Sequence, residues 1–141
     1  MPYEKSCGAV LFREKNGKRE YLLLHYEAGH WGFPKGNQEK NEKEEETAVR
    51  EIKEETNLEN VKIMPGFKHK ISYFYKREGK TIFKEVVFFL AKALGNEKVK
   101  LSYEHVGYKW LPYDKALKQI TYNEEKELLK KAEEFLKGLK K

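Results

Sequence analysis

One long helix-forming segment that starts at Asn41 separates two pairs of strand-like segments, and this order restricts the folds open to the chain. Residues 5–12 and 19–26 are short apolar runs joined by a turn. Residues 61–76 and 81–91 repeat the pattern with more β-branched and aromatic side chains. Both pairs predict β-hairpins. Because the hairpins flank a helix, they favour a mixed sheet between helical layers, an α+β architecture.

The middle helix carries signals at both ends. Asn41 is predicted as its N-cap, with Glu44 three residues later as the partner of a capping box. Ala48 and Ile52 lie one turn apart and predict an inward-facing stripe. Asn57 is predicted to adopt the left-handed conformation that ends helices.

The rest of the chain completes the same layers. Residues 27–38 contain three glycines and a proline and predict an ordered loop, and residues 106–111 predict a short strand. Residues 123–137 predict an amphipathic C-terminal helix, which Gly138 is expected to end. Because no repeat or Pro/Gly/Ser-rich linker interrupts residues 1–141, we expect a single domain.

Composition excludes several classes of protein. Cys7 is the only cysteine, so an internal disulfide and a multi-cysteine zinc site are both ruled out. No apolar run approaches the ~20 residues of a membrane span, and we expect a cytoplasmic protein without a membrane partner. The net charge of +6 suits polyanionic ligands such as nucleotides. Acidic residues are almost all Glu and basic residues mostly Lys, a bias typical of thermophile proteins.

Three glutamates of the middle helix share one face. Glu51, Glu54 and Glu55 are spaced i, i+3 and i+4, which places them within about one turn of each other. Like charges at this spacing repel unless a cation neutralises them, and hard oxygen ligands select Mg²⁺, with Mn²⁺ as a second possibility. A solvated acidic face, balanced by basic neighbours such as Arg50, is the alternative interpretation.

A Gly-Phe-Pro-Lys-Gly turn at residues 32–36 precedes this helix. Its backbone carbonyls, that of Gly36 included, could complete a metal site. Lys35 and the nearby N–H groups could meet phosphates. The turn therefore favours a metal and phosphate site over a solvated acidic face.

Residues 36–58 resemble the Nudix hydrolase box, G-x5-E-x7-R-E-U-x-E-E-x-G-U, in which U is aliphatic. The positions in register are Gly36, Glu42, Arg50, Glu51, Ile52, Glu54, Glu55 and Leu58. Asn57 stands where the family has glycine, and asparagine also tolerates a left-handed backbone. The resemblance implies a Nudix-type α/β/α sandwich with a mixed β-sheet, and a metal-dependent hydrolase.

In the Nudix family, water attacks a phosphorus atom of a nucleoside diphosphate linked to another group. Carried over residue by residue, the resemblance implies that Glu51 and Glu55 are the principal metal ligands. It implies that Glu54 is a metal ligand or the general base.

Segments outside the box resemble the asymmetric diadenosine tetraphosphate hydrolases. They are SCGAVLF at 6–12, YLLLHY at 21–26, GHWGFPKG at 29–36 and LSYEHVGYKWL at 101–111. In those enzymes a His and a Lys of the loop contact the polyphosphate, which implies this role for His30 and Lys35. A late glutamate adds a metal ligand, which implies Glu104, otherwise an ordinary exposed loop charge.

Adenine needs aromatic side chains on which to stack. Tyr73 and Tyr75, on one face of a predicted strand, and Tyr122, before the last helix, are the candidates, and each could instead be a core or cross-strand aromatic. Lys80 and Lys84 on the neighbouring hairpin are candidates for the distal phosphates or plain surface lysines.

The resemblance implies a monomer that splits diadenosine tetraphosphate, a small-molecule substrate, into ATP and AMP. Other Nudix substrates remain open: a modified nucleoside triphosphate, ADP-ribose, a dinucleotide cofactor or an RNA 5′ end. A binding protein without catalysis is disfavoured by the intact glutamate set, and a basic RNA-binding domain by the lack of its signature, so no stable nucleic-acid partner is expected. His25, His69 and His105 lack metal-ligand spacing and receive no role.

Overall fold

A computed structural model describes residues 2–139 as a seven-stranded sheet with three helices. In chain order the elements are β1 (Tyr3–Lys15), β2 (Lys18–Tyr26), β3 (Trp31–Gly32), β4 (Lys35–Asn37), α1 (Glu44–Thr56), β5 (Val61–Arg77), β6 (Lys80–Ala93), β7 (His105–Leu111), α2 (Tyr113–Gln119) and α3 (Asn123–Leu139). Both predicted hairpins are confirmed, as β1–β2 and β5–β6.

The sheet is mixed because one of its pairings is parallel. β1 runs parallel to β6, whereas β2 and β4 pair with β1 in the antiparallel sense. β5 pairs with β6, and β3 and β7 both pair with β2, all antiparallel. The predicted mixed sheet is therefore confirmed, with β1 at its centre.

Alternate residues of the central strands bury opposite faces of the sheet. In β1, Val10 and Phe12 pack in the cluster that contains the apolar residues of α2 and α3. Ala9 and Leu11 pack in the cluster that contains Ile52 of α1. Since successive strand residues point to opposite faces, the continuous apolar run of β1 supplies both cores. The layers form the predicted α/β/α sandwich.

Helix α1 begins differently from the prediction. Asn41 is not its N-cap but lies in a turn with φ 70°, and Lys43 is the N-cap. Glu46, rather than Glu44, closes the cap by accepting a hydrogen bond from the Lys43 N–H at 2.7 Å. The predicted left-handed helix end is confirmed, because Asn57 has φ 64°.

Three other local predictions were incomplete. Residues 27–38 form two short strands as well as a loop, because β4 pairs with β1. Helix α2 was not predicted. Gly138 does not end α3, which continues to Leu139, and Gly138 is not among the glycines with positive φ. Within residues 2–139, no helix is long and apolar enough to cross a membrane.

Candidate active site

The segment from Gly32 to Gly36 is held by buried glutamates from both helical layers. From α1, Glu55 accepts a hydrogen bond from the Lys35 N–H at 3.1 Å. From α3, Glu125 accepts one from the Phe33 N–H at 3.2 Å. Glu55 is 4% exposed and Glu125 is 6% exposed. Two carboxylates that start far apart in the sequence therefore fix the backbone of one loop.

Gly36 allows Glu51 to approach this loop closely. A Cβ added at Gly36 would overlap the carboxyl group of Glu51. The glycine therefore lets the Glu51 carboxyl group lie directly against the Gly36 backbone.

Arg50 orders the acidic face of α1. Its guanidinium donates hydrogen bonds to Glu51 at 2.7 Å, to Glu54 at 2.8 Å and to the carbonyl oxygen of Asn37 at 2.9 Å. It also bonds Glu42 at 2.6 Å and lowers the pKa of that carboxyl to about 2. These bonds fix the orientation of the Glu54 carboxylate.

Several glutamate carboxyl groups affect one another's pKa where α1 meets the loop. Burial, and then repulsion from Glu51, raise the pKa of Glu55 to about 9. Burial raises the pKa of Glu51 despite Arg50, and Glu54 and Glu104 raise it further. Glu104 also raises the pKa of Glu55. Electrostatic interactions therefore connect the four predicted acidic ligands, and Glu51, Glu54, Glu55 and Glu104 together form an acidic cluster.

These residues fit a hard divalent cation. Within residues 2–139, no three Asp, Glu, His or Cys side chains are close enough together to coordinate a metal ion in their present positions. Burial nevertheless disfavours ionisation of both Glu51 and Glu55, and a Mg²⁺ or Mn²⁺ ion beside them would favour their ionised, ligating form.

His105 lies behind this cluster, although the sequence assigned it no role. Its Nδ1 is 3.1 Å from Ser102 Oγ. Its Nε2 is buried, has no hydrogen-bond partner within residues 2–139, and lies 3.9 Å from Glu55 Oε1. Burial lowers the pKa of His105, which favours the neutral imidazole. Its adjacency to Glu104 was the one sequence signal that could have indicated it.

A cavity of about 520 Å³ opens on the other side of the loop, within the size range of small-molecule sites. Its lining includes four predicted substrate contacts, His30, Lys35, Tyr73 and Tyr122. The ring of His30 lies 5.3 Å from that of Tyr122. Lys35 Nζ lies 5.9 Å from the centre of the Tyr73 ring. The structure thus brings these four side chains together.

Three predicted contacts lie outside this cavity. Tyr75 is 6.4 Å from Tyr73, ring centre to ring centre, and its hydroxyl donates to Glu4. Lys84 Nζ lies 3.7 Å from the same Glu4 carboxylate. Lys80 lies at the β5–β6 turn. None of the three lines the cavity, although Tyr73 of the same hairpin does.

Tyr26 and Glu125 are among the lining residues that the sequence analysis did not predict. The Tyr26 hydroxyl donates to the Phe33 carbonyl oxygen at 2.6 Å, and the Tyr26 ring stacks on His30 at 4.4 Å. Burial raises the pKa of Glu125, while Lys35 opposes that shift. Tyr26 ends the matched segment YLLLHY, so the resemblance could have indicated it, whereas Glu125 carried no comparable signal.

Comparisons with known proteins agree with this geometry. The chain matches the NUDIX domain family over residues 2–132. It is 38% identical over 136 residues to the bis(5′-nucleosyl)-tetraphosphatase (asymmetrical) of Caenorhabditis elegans, covering 95% of this chain and 97% of that protein. It is 34% identical over 143 residues to the Mus musculus protein of the same name, covering 94% and 95%. A crystal structure of a C. elegans Ap4A hydrolase binary complex superposes with a TM-score of 0.85 at 37% identity, covering 96% of this chain and 98% of that one.

Proposed function

This chain belongs to the Nudix family, and from that premise we propose that it hydrolyses dinucleoside polyphosphates, splitting diadenosine tetraphosphate into ATP and AMP in the presence of Mg²⁺. One observation carries the proposal. The backbone N–H of Lys35 bonds Glu55 of the acidic cluster, while the Lys35 side chain lines the aromatic cavity. Lys35 therefore connects the proposed metal site to the proposed nucleoside site.

The acidic cluster supplies the hydrolytic half of the site. Glu51, Glu55 and Glu104, with the Gly36 carbonyl, are the proposed ligands of Mg²⁺, or of Mn²⁺. A divalent cation held there would neutralise phosphate charge and lower the pKa of a bound water. Glu54, whose side chain is 53% exposed and fixed by Arg50, is the proposed base that takes the proton of the attacking water.

The cavity supplies the binding half. Tyr73 and Tyr122, both partly exposed on the cavity lining, are proposed to stack adenine, an interaction worth ~1–3 kcal/mol per base. His30 and Lys35 lie beside these rings and are proposed to contact the nearer phosphates. Lys35 contacts Glu55 through its backbone and approaches Tyr73 with its side chain, which supports a polyphosphate that extends from the rings towards the glutamates.

Lys84, Lys80 and Tyr75 are assigned to the outer part of the substrate. Burial, and then repulsion from Lys35, lower the pKa of Lys84, although Glu4 opposes this shift. An anion between the two lysines would relieve their repulsion. We propose that Lys84 contacts the distal phosphates and that Tyr75 and Lys80, further along the same hairpin, reach the second nucleotide.

Product analysis in ¹⁸O-labelled water tests the proposed reaction. With diadenosine tetraphosphate and Mg²⁺ we expect equal amounts of ATP and AMP, label in only one of the two products, and no turnover when EDTA replaces Mg²⁺. Two molecules of ADP would exclude the asymmetric reaction. Equal turnover of dGTP would favour a Nudix pyrophosphohydrolase of another nucleotide class.

The Glu54→Gln variant tests the proposed base. Losing a general base should lower kcat by ~10²–10⁴-fold with little change in KM. Glu45→Gln is the matched control, because Glu45 is an exposed glutamate on the first turn of the same helix. Wild-type kcat in Glu54→Gln would transfer the role of base to another carboxylate.

A further inference from the structure

We propose that Glu125 selects the nucleobase, its free carboxylate oxygen accepting a hydrogen bond from the exocyclic amino group of adenine. This inference rests on the proposed function, because it places a base in the cavity beside Tyr122. It adds a specificity-determining residue that lies outside the Nudix box and on a different helix from the acidic cluster.

One oxygen of Glu125 is already fixed by the protein. Oε1 accepts the Phe33 N–H at 3.2 Å. A Cβ added at Gly32 would lie only 2.6 Å from this oxygen, so the glycine makes room for it. The carboxylate is therefore clamped against the loop in one orientation, as selective recognition of a ligand requires.

The second oxygen, Oε2, is available to a ligand. Among residues 2–139, the Phe33 N–H is the single hydrogen-bond donor to the Glu125 carboxylate. Oε2 is not enclosed by the protein, because His105 Nε2 is the buried side-chain polar atom without a partner among these residues. Since Glu125 lines the cavity, a ligand that brings an N–H donor there can bond Oε2 in place of water.

The neighbouring residues indicate which edge of the ligand this oxygen meets. Tyr122 lies three residues before Glu125, about one helical turn, and both line the cavity. If Tyr122 and Tyr73, which both line the cavity, stack on the faces of a base as proposed, its edge is left to Glu125. In its ionised form, which Lys35 and the Phe33 N–H favour, the Glu125 carboxylate is an acceptor only. It then attracts the amino group of adenine and repels the carbonyl group that hypoxanthine carries at the same position.

Glu125→Gln gives the sharpest test. The variant keeps the side-chain length, and its amide can either accept from an amino group or donate to a carbonyl. The wild-type protein should prefer diadenosine over diinosine tetraphosphate in kcat/KM by about 10–100-fold. In Glu125→Gln this ratio should fall towards one, mainly through KM. Glu124→Gln, at an exposed position on the cavity rim, should leave the ratio as in the wild type.

Two further measurements keep the outcome decisive. Glu125→Asp retains an acceptor-only group and should weaken both substrates while keeping the preference for adenine. Equilibrium binding of ATP and ITP to the same proteins should show the same ratios without requiring turnover. If the wild type binds ATP over ITP but cleaves no dinucleoside polyphosphate, the proposed function fails while the role of Glu125 stands.

Two results would overturn the inference. An equal loss with adenine and hypoxanthine substrates in Glu125→Gln would mean that Glu125 only positions the loop that carries Lys35. An unchanged adenine preference, together with a changed preference for ribose over 2′-deoxyribose substrates, would mean that Glu125 meets a sugar hydroxyl.

Discussion

Replacing Gly36 by alanine should impair metal binding while leaving the fold nearly as stable. The added Cβ would overlap the Glu51 carboxyl group, the far end of a flexible side chain, and Gly36 needs no positive φ. The carboxylate can rotate away, so the free energy of unfolding should fall by less than ~1 kcal/mol, at the low end of overpacking costs. Moving a ligand off the metal should weaken Mn²⁺ binding by at least ~10–100-fold, or ~1.4–2.7 kcal/mol.

Gly8→Ala is the matched control for this experiment. Gly8 pairs with Lys35 across β1 and β4, and a Cβ there would overlap the carbonyl oxygen of Pro34. Because this neighbour is backbone and cannot rotate aside, the variant should lose ~1–3 kcal/mol of unfolding free energy. For a chain of this size the loss corresponds to a fall in Tm of about 3–10 °C.

Urea unfolding and calorimetric Mn²⁺ titration on both variants give the two quantities. The expected pattern is a large loss of metal affinity with little loss of stability for Gly36→Ala, and a clear loss of stability for Gly8→Ala. Wild-type Mn²⁺ affinity in Gly36→Ala, or a larger stability loss there than in Gly8→Ala, would refute the reasoning.

Three further predictions concern stability and reactivity. Cys7 is fully buried and burial raises its thiol pKa to about 11, so a thiol reagent at pH 8 should modify it only as the chain unfolds; rapid reaction of the native protein would contradict this. Arg50 lowers the folded-state pKa of Glu42 to about 2 from 4.5, so its contribution to stability is complete above pH 4.5 and lost as the pH falls through about 2. Urea midpoints of Glu42→Gln should therefore fall less steeply than wild type from pH 5 to 2, and parallel curves would argue against the ion pair. Asn57→Ala should cost ~1–2 kcal/mol because Asn57 has a left-handed backbone, whereas Asn57→Gly should be nearly neutral; equal denaturant midpoints for the two would contradict this.

Features with local causes could be predicted from the sequence. Short apolar runs joined by turns predicted both hairpins, and the tolerance of asparagine for a left-handed backbone predicted the end of α1 at Asn57. The i, i+3, i+4 spacing placed Glu51, Glu54 and Glu55 on one face. No spacing rule links His30, Lys35, Tyr73 and Tyr122. The resemblance implied His30 and Lys35, and the need to stack adenine suggested the two tyrosines.

Features with long-range causes could not be predicted. The start of α1 was misplaced because Glu42 bonds Arg50, eight residues later, and the chain before the helix forms a turn with Asn41 at positive φ. Glu125 was missed because its partner Phe33 lies 92 residues away in the sequence. Such contacts form only when the helices pack on the sheet, so no local sequence pattern indicates them.

The central claim is that the acidic cluster of α1 binds a divalent cation beside the loop that carries Lys35. Electron paramagnetic resonance of Mn²⁺ measures this most directly, by the loss of free-ion signal as protein is added. We predict uptake by the wild-type protein, stronger with a bound nucleotide, and at least ~10-fold weaker uptake by Glu51→Gln and Glu55→Gln. Undiminished free-ion signal with the wild type and nucleotide together, or equal uptake by the wild type and both variants, would contradict the claim.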